Sequence, residues 1–446
     1  MYNILIRPLI IEDALTSYQW RNDPEVWKYT GSKPNVKITK EIESEWIEKA
    51  LKDETSKRFA ILCDEEYIGN VQLTNIADDM AEFHIFIGNK AFWGKRISQL
   101  ATYQILYYAK EVLKLSEVYL SVKPENISAI KSYENNNFKI IDESQKNIKM
   151  SLKLSCLENT TVSIFVMVYN HAPFLKECID GLLMQKADFN YDIIVGEDCS
   201  TDNSREILLD YQKKFPGKFK LLLHEKNIGA ANNQKITFEN CKGKYIAMCE
   251  GDDYWTDPQK LQKQVDFLEQ NNDHVLCFHK VKTLKTDGEI VDDFITKIPE
   301  NYQLRKTLAE NNNYIHTPSV LFRNIIKDEL NATEFQKSPI GDYFLYLMIT
   351  KYGKIGYINE EMAVYRYGVG VFSALDHFQH LKTNLILFAN LYSYEPESEI
   401  KEIFYTRFLQ LVAEIQKNQT LAQNKSNILN TRRHILIEKL YKLFKK

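Results

Sequence analysis

The chain has 446 residues, of which 44% are hydrophobic and 26% charged, and its formal net charge is −3. This length predicts two or three domains, and the near-neutral charge provides no basic surface for nucleic acid. No apolar run reaches the roughly 20 residues that span a bilayer, and the start, "MYNILIRPLI", lacks the pattern of a secretory signal.

A mixed α/β pattern occupies the first part of the chain. The segment "EFHIFIGNKAFWGKRISQLATYQILYYAKEVL" predicts a strand, a turn and a long helix in succession. Backbone N–H groups at such a turn and helix start can bind a pyrophosphate without charged side chains. Further along, "VKPENISAIKSYENNNFKI" places Asn126 after a strand and Tyr133 on the helix that follows.

With "IRPLIIEDA" near the start, these segments resemble the GNAT N-acetyltransferases over residues 3–154. The resemblance implies a GNAT fold, a mixed sheet with flanking helices, that binds acetyl-CoA. It assigns Tyr133 as the general acid beside the thiolate leaving group and Glu82 as a base that acts directly or through water. The alternatives are a buried core tyrosine and a solvated strand end. The residues that the resemblance assigns to acetyl-CoA are Trp93, Gly94, Lys95, Arg96, Ile97, Ser98 and Asn126.

Three positions differ from the usual GNAT pattern. Arg96 stands where glycine is usual, Ser98 where glycine or alanine is usual, and Asn137 where a glycine is expected before Phe138. A side chain at 96 must clear the phosphates or pair with them, whereas asparagine tolerates a left-handed backbone. A domain that binds CoA without catalysis is therefore the alternative to an active acetyltransferase.

A polar linker, "SCLENTT", separates this segment from a second pattern that begins near residue 158. Beyond it, "VSIFVMVYN", "YDIIVGED", "FKLLLHEKN" and "KYIAMCEGDD" each precede a helical pattern. Such alternation predicts a parallel sheet covered by helices. From about residue 377 the pattern is helical. We expect domains at 1–157 and 158–376, followed by a helical region at 377–446.

Polar clusters follow three of the predicted strands, where ligands of open parallel sheets bind. They are Tyr169-Asn170-His171, "GEDCSTDNS" at 196–204 and "EGDDYW" at 250–255. Asp198 can accept the imide N–H of uracil or thymine, and Asp252 with Glu250 can bind Mg²⁺ or Mn²⁺ through hard oxygen ligands. Taken singly, each cluster is also compatible with a helix cap or a solvated turn.

Together these clusters resemble the family-2 glycosyltransferases of GT-A fold, over roughly residues 161–375. The resemblance implies a Rossmann-like nucleotide-sugar domain that uses a UDP- or dTDP-linked donor and an inverting displacement. It assigns Asp342 in "SPIGDYFLYL" as the general base, with a helix N-cap as the alternative. Glu197 and Cys199 replace the family's commoner aspartate and glycine. The nucleotide-sugar residues are Tyr169, Glu197, Asp198, Asp252 and Arg366, and the metal ligands are Asp252, Glu250 and Asp253.

The tail Arg432–Lys446 carries basic residues beside leucines at helical spacing. It predicts either a helix on an anionic membrane surface or a helix docked on its own domain. The seven cysteines form no C-x-x-C pair, so we expect a cytoplasmic protein with reduced thiols, peripheral on the inner face of the plasma membrane if the tail binds lipid.

We expect a bifunctional enzyme of bacterial-type surface polysaccharide or glycoconjugate biosynthesis. It would N-acetylate an amino sugar, nucleotide-linked in the simplest order, and transfer a sugar to a glycan or lipid-linked glycan acceptor. The alternative is a glycosyltransferase whose first domain is a non-catalytic binding module.

Overall fold

The computed structural model describes residues 1–29, 35–157, 160–326, 328–370 and 375–423, without the side chains of 418–423. The strands are β1 (Ile4–Pro8), β2 (Lys57–Cys63), β3 (Glu66–Ala77), β4 (Met80–Ile87), β5 (Glu117–Val122), β6 (Lys139–Glu143), β7 (Ile148–Lys153), β8 (Val162–Val168), β9 (Tyr191–Glu197), β10 (Phe219–Leu223), β11 (Tyr245–Glu250), β12 (Tyr254–Trp255), β13 (His274–Leu284), β14 (Ile290–Asp292), β15 (Leu321–Arg323) and β16 (Lys354–Arg366). The helices are α1 (Ala14–Arg21), α2 (Lys40–Leu51), α3 (Ile97–Glu111), α4 (Ile127–Glu134), α5 (Ala172–Leu183), α6 (Ser204–Lys214), α7 (Ala230–Asn240), α8 (Lys260–Gln270), α9 (Arg305–Asn311), α10 (Thr333–Gln336), α11 (Gly341–Ile349), α12 (His377–Tyr394) and α13 (Ser398–Gln423).

The N-terminal part is a mixed sheet with the strand order β1-β2-β3-β4-β5-β7-β6. Two tight turns, at 64–65 and 78–79, join β2 to β3 and β3 to β4, and both central residues of each have positive φ. That conformation matches the twist of hairpin strands, which explains the antiparallel pairing. Among the described strands of this sheet, only β4 and β5 pair in parallel. The predicted mixed sheet with flanking helices is confirmed.

Helix α3 is buried along the whole stretch Ala101–Ala109. A helix that is apolar on all sides is covered on all sides. One face packs on the N-terminal sheet, and the other meets the second domain, where a Cβ on Gly217 would lie 2.6 Å from the carbonyl oxygen of Gln104. The two domains therefore share α3 as a common wall.

The second sheet has the order β10-β9-β8-β11-β15-β13-β16-β12, with β14 on β13. Strands β10, β9, β8 and β11 are parallel neighbours, as the alternating pattern predicts. They are apolar almost throughout because helices cover both faces: Val166 packs in a cluster with α5 and α6, whereas Phe165 stacks on Phe238 of α7 at 4.1 Å. The predicted Rossmann-like GT-A architecture is confirmed.

Helices α12 and α13 pack on this second domain. Phe388 and Phe404 lie in one apolar cluster with Phe344 of α11, and Arg407 donates to the carbonyl of Glu310 at 2.7 Å. The helical pattern predicted from residue 377 is confirmed through 423, whereas Arg432–Lys446 lies outside the described residues. The three domain boundaries stay predictions. Within the described ranges, no helix combines the length and hydropathy of a membrane span.

Candidate active sites

The first two polar clusters of the second domain are joined by hydrogen bonds at one edge of its sheet. Since β8 and β9 are parallel neighbours, their carboxyl ends meet. The N–H of Asn170 donates to Ser200 Oγ at 3.0 Å, and Asn170 Oδ1 accepts from the N–H of Thr201 at 2.8 Å. The N–H of His171 donates to Ser204 Oγ at 2.9 Å. The structure thus brings these clusters together into a rim that faces the end of β11.

Two neighbouring carboxylates fix the backbone of this rim. Asp198 accepts from two N–H groups just before α7, at 2.7 and 3.0 Å. Glu197 accepts from the N–H of Ser200 at 2.6 Å and from Nε of Arg205 at 2.5 Å. Tyr169 is exposed on the same rim. Contacts of Tyr169, Glu197 and Asp198 with a nucleotide stay predictions, and Glu197 has the less available carboxylate of the two.

Three carboxylates crowd the end of β11. Glu250, Asp252 and Asp253 each offer an oxygen, and these oxygens lie within 4.8 Å of one another. Asp252 and Asp253 are 4% and 1% exposed, and each has one oxygen with no hydrogen-bond partner among the described residues. A Cβ on Gly251 would lie 2.6 Å from Nδ1 of His171, so glycine permits this close approach. We call Glu250, Asp252 and Asp253 the acid cluster.

The acid cluster has the electrostatics of a cation site. Burial, followed by the charges of Asp252 and Asp342, raises the pKa of Glu250 to about 8. Burial and the charge of Asp252 also hold the pKa of Asp253 well above its usual range. Hard carboxylate oxygens suit Mg²⁺ and Mn²⁺, and the two unpartnered oxygens leave positions for such an ion. The residues therefore fit a divalent metal, whose binding stays a prediction.

Arg366 lies beside the acid cluster at the end of β16. Its N–H donates to Asp253 Oδ1 at 2.8 Å, and its guanidinium donates to the carbonyl of Asp252 and to a glutamate of α5. The guanidinium carbon lies 5.0 and 4.7 Å from the ring centres of Phe174 and Tyr254. A cation so held can offset negative charge that gathers beside the acid cluster.

Asp342 is brought to the same site by α11. Ile340 is the N-cap residue of this helix, so the N-cap alternative for Asp342 does not hold. Its Oδ2 accepts from Nδ2 of Asn313 at 2.9 Å, and its charge acts on the acid-cluster residue Glu250. Burial raises the pKa of Asp342 against the opposing hydrogen bond of Asn313 and charge of His316. A raised pKa makes this carboxylate a better proton acceptor.

An aspartate–histidine pair lies next to Asp342. His316 Nε2 is 3.0 Å from Asp293 Oδ2, and its ring packs against that of Tyr365 at a tilt of 40°, with centres 4.7 Å apart. Burial opposes ionisation of Asp293, but the hydrogen bond and charge of His316 lower its pKa to about 2. The sequence patterns single out neither Asp293 nor Asn313, because both lie in loops outside the quoted motifs.

In the N-terminal domain, β4 and β5 separate next to α3. Their parallel pairing covers only Met80–Glu82 opposite Glu117–Tyr119, although β4 runs on to Ile87. Backbone groups of β4 beyond Glu82 are therefore left without a partner strand on that side. An extended ligand can hydrogen-bond to such groups. The opening leads towards the turn before α3.

This turn presents backbone N–H groups. Gly94 and Arg96 have φ of +75° and +60°, and among the described residues none accepts from the N–H of Gly94, Lys95 or Arg96. The N–H of Trp93 is already used, since it donates to the carbonyl of Lys90 at 3.1 Å. Three of the amides assigned to a pyrophosphate are thus available, and that of Trp93 is not.

The remaining cofactor residues have structural contacts of their own. Ile97 is buried in the core, and Ser98 Oγ lies 3.4 Å from Ser132 Oγ, which links α3 to α4. Asn126 is the N-cap of α4 and accepts from the N–H of Ala129 at 3.4 Å. These contacts order the two helices around the turn. Direct contact with acetyl-CoA stays a prediction for each of them.

Tyr133 and Glu82 lie in different surroundings. Tyr133 is buried with its ring edge-on to Phe83 at 5.9 Å, and burial raises its pKa to about 12. It therefore keeps its proton at neutral pH, as a general acid must. Glu82 is half-buried where β4 leaves β5, and its Oε2 accepts from Asn75 Nδ2 at 2.8 Å. Their catalytic roles stay predictions.

Comparison with known families matches each domain separately. The model of the Acetyltransferase (GNAT) domain matches residues 3–139, and that of Glycosyl transferase family 2 matches residues 163–330. An uncharacterized protein of Mycobacterium tuberculosis is 34% identical over 206 residues, 46% of this chain and 58% of its own length. The chain thus spans a little over half the length of this curated relative. A putative teichuronic acid biosynthesis glycosyltransferase of Bacillus subtilis, TuaG, is 27% identical over 206 residues, 46% of this chain and 78% of its own length.

Two solved structures are similar to parts of the chain. The spermidine N-acetyltransferase of Vibrio cholerae, solved with CoA and spermine, is 23% identical and covers 34% of this chain and 96% of its own, with a TM-score of 0.32. The Staphylococcus aureus protein TarS, solved with UDP, is 15% identical and covers 56% of this chain and 70% of its own, with a TM-score of 0.42. The two family models, which match successive parts of the chain, identify it as a fusion of a GNAT acetyltransferase domain with a family 2 glycosyltransferase domain.

Proposed function

We propose that the second domain transfers a sugar from a UDP- or dTDP-linked donor to an acceptor hydroxyl with inversion at the anomeric carbon. The observation that carries the proposal is the convergence of the acid cluster, Arg366 and Asp342 at one end of β11. Mg²⁺ or Mn²⁺ held by the acid cluster would neutralise the diphosphate and make it a competent leaving group.

Side chains of the second domain then provide the base, stabilise the leaving group and bind the nucleotide. Asp342 takes the proton of the acceptor hydroxyl while the acceptor oxygen bonds to the anomeric carbon. The bond between the anomeric carbon and the diphosphate oxygen breaks. Arg366 stabilises the charge that the diphosphate gains. Tyr169 stacks on the base of the nucleotide, and Asp198 accepts its imide N–H. The rim bonds of Asp198 support this role, because they hold its carboxylate in one orientation.

For the first domain, we propose transfer of an acetyl group from acetyl-CoA to the amine of an amino sugar. The amine nitrogen bonds to the thioester carbonyl, Glu82 accepts the proton that the nitrogen loses, and the C–S bond breaks. Tyr133 gives its proton to the departing thiolate. The high pKa of Tyr133, the free amides at 94–96 and the opening between β4 and β5 support this reading.

Both activities fit the synthesis of a surface polysaccharide or glycoconjugate, with a glycan or lipid-linked glycan as the acceptor. Support comes from the relative TuaG, which is named for teichuronic acid biosynthesis. The second candidate is a glycosyltransferase whose first domain binds CoA without catalysis. The side chain of Arg96, where GNAT proteins usually have glycine, is the observation that favours it. The cytoplasmic location and the membrane contact of Arg432–Lys446 stay predictions.

One experiment separates these candidates. The purified chain is incubated with acetyl-CoA and a panel of free and nucleotide-linked amino sugars, and the release of CoA thiol is followed. Parallel reactions with Mg²⁺, with Mn²⁺ and with a chelator follow the release of UDP or dTDP from nucleotide sugars. Thiol release and metal-dependent nucleotide release support the bifunctional enzyme. Nucleotide release without thiol release from any amine supports the second candidate.

A further inference from the structure

A cavity of about 210 Å³ lies at the seam between the two domains. The first domain lines it with Arg96, Tyr103 and the turn 135–137 after α4. The second domain lines it with the loop 188–190, which precedes β9. Neither domain encloses the cavity by itself, because both contribute residues to its wall. We call it the seam cavity.

The seam around this cavity is held by specific polar contacts. Asn3 Nδ2 donates to the carbonyl of Leu183 at 2.8 Å, and Glu111 forms an ion pair with Lys220 at 2.8 Å. Lys186, two residues before the loop 188–190, pairs with an aspartate of the first domain at 3.0 Å. The seam cavity is therefore a defined space between two docked surfaces.

The seam cavity lies next to the turn before α3 that is assigned to the pyrophosphate of the cofactor. Arg96 is both the residue before α3 and part of the cavity wall, so the seam cavity begins where the free amides at 94–96 end. A pyrophosphate on these amides has a substituent on either side. One substituent of CoA, the pantetheine arm, suits the opening between β4 and β5. The other, an adenosine with a 3′-phosphate, would lie towards the seam.

The chemistry of the wall suits that second substituent. Tyr103 and Phe189 provide aromatic surface for a purine, and base–ring stacking contributes measurably to nucleotide binding. The side-chain amides of Asn135, Asn137 and Asn190 can donate to ring nitrogens, and Asp188 can accept from the exocyclic amine. Arg96 supplies the cation for a phosphate. The volume is below the about 300–1,000 Å³ that encloses a whole drug-sized ligand, as expected for one end of CoA.

We propose that the seam cavity receives the 3′-phosphoadenosine end of coenzyme A, so that the glycosyltransferase domain completes the acetyl-CoA site of the first domain. The inference rests on the proposed binding of acetyl-CoA. It adds that loop 188–190 of the second domain determines affinity for the nucleotide end of the cofactor. Occupancy of the acetyltransferase site then strengthens the docking of the two domains.

The test is calorimetric titration of the full chain with CoA and with 4′-phosphopantetheine, which lacks the nucleotide end. Phe189→Leu should weaken CoA binding about tenfold and leave 4′-phosphopantetheine unchanged. Phe215→Leu is the matched control, because Phe215 packs on the same apolar cluster as Phe189 but is not among the cavity residues. It should change neither affinity, and both variants should bind UDP as the unmodified chain does.

A second measurement addresses the 3′-phosphate. The unmodified chain should prefer CoA to 3′-dephospho-CoA, and Arg96→Gln should remove most of that preference. Equal CoA affinity in Phe189→Leu and the unmodified chain overturns the inference while leaving the proposed acetyltransferase intact. An equal loss for CoA and 4′-phosphopantetheine also overturns it. Absence of CoA binding to the unmodified chain overturns the proposed function of the first domain together with the inference.

Discussion

Cys199 has a left-handed backbone, with φ of +58°, in the rim at the carboxyl ends of β8 and β9. Arg96 and Asn137 have φ of +60° and +66°. All three stand where the family patterns usually have glycine. The family patterns therefore indicate turns at these positions, although glycine, which normally permits a left-handed backbone, is absent. Asparagine accepts this conformation readily, whereas a left-handed backbone costs other side chains about 1–2 kcal/mol. The strain is therefore concentrated at Arg96 and Cys199.

Replacing Cys199 by glycine should stabilise the second domain by up to about 1 kcal/mol. The relief of left-handed strain exceeds the roughly 0.5–1 kcal/mol of added chain entropy that glycine brings to the unfolded state. The measurement is the thermal midpoint of that domain by calorimetry. Cys199→Ala is the control, since it removes the thiol and keeps the strain. If the alanine variant is as stable as the glycine variant, or more so, backbone strain at this position is not the cause.

Asp342→Asn should lower sugar transfer by about 10²–10⁴-fold and leave donor binding unchanged, because it removes the proposed base and keeps the shape of the side chain.

His316→Ala tests the aspartate–histidine pair in a different way. Since His316 lowers the pKa of Asp342, that pKa should rise in the variant, so the acidic limb of the pH–rate profile should move to higher pH. Transfer kinetics over a range of pH measure both effects. Normal turnover in Asp342→Asn would leave another group as the base.

At the scale of elements, the sequence predicts the parts of the site whose geometry is local. Apolar runs followed by helical patterns indicate β8, β9 and β11 as parallel strands, and parallel strands bring their carboxyl ends together. This argument does not predict the positions of Asp293 and His316. They reach Asp342 through the antiparallel pairing of β13 with β14 and β15, and no periodicity in the chain reveals which distant strands pair. The acid cluster was predictable, whereas the pairing of Asp293 with His316 was not.

The end of β11 should respond to a divalent metal as one unit. Mg²⁺ or Mn²⁺ should raise the thermal midpoint of the second domain, because an ion bound only to the folded state stabilises it. Asp252→Asn should lose this shift together with metal-dependent transfer, and it should keep acetylation. Asp210→Asn on the exposed side of α6 is the control and should behave like the unmodified chain. A full metal shift in Asp252→Asn contradicts the assignment of this carboxylate as a ligand.

At the scale of the whole molecule, the seam contains two buried groups of opposite charge. Burial raises the pKa of Asp192 to about 7 and lowers that of Lys218 to about 7. In the unfolded chain, Asp192 loses its proton near pH 4. Its folded pKa is the higher of the two, so its contribution to stability is complete at low pH and is lost as the pH rises from about 4 to about 7.

Asp192→Asn should therefore gain stability relative to the unmodified chain as the pH rises from 5 to 7, by about 2 kcal/mol. At pH 5 the folded chain holds Asp192 in its neutral form, as asparagine always is, so the difference between the two proteins should be smaller there than at pH 7. Thermal midpoints at several pH values measure it. Since other acids of the chain titrate in both proteins, the difference between the two midpoints isolates Asp192. A difference that does not change with pH would mean that the seam tolerates the charged carboxylate.

The fusion itself suggests consecutive steps on one pathway. In the simplest order, the first domain acetylates a nucleotide-linked amino sugar and the second transfers the finished sugar. A neutral amide offers one donor and one acceptor, whereas an ammonium brings a charge that the transfer site must desolvate. The second domain should therefore prefer the N-acetylated donor strongly.

Tyr133→Phe tests this order in the full chain. The variant keeps the ring that packs on Phe83 and loses the proposed acid, so it should lose acetylation and remain folded. Supplied with the acetylated donor, it should transfer sugar normally, and supplied with the free-amine donor plus acetyl-CoA, it should fail. Asp342→Asn is the reciprocal control, which should acetylate and not transfer. Equal transfer from both donors contradicts the order, and acetyl incorporation only after transfer would place the acetyltransferase step on the acceptor glycan.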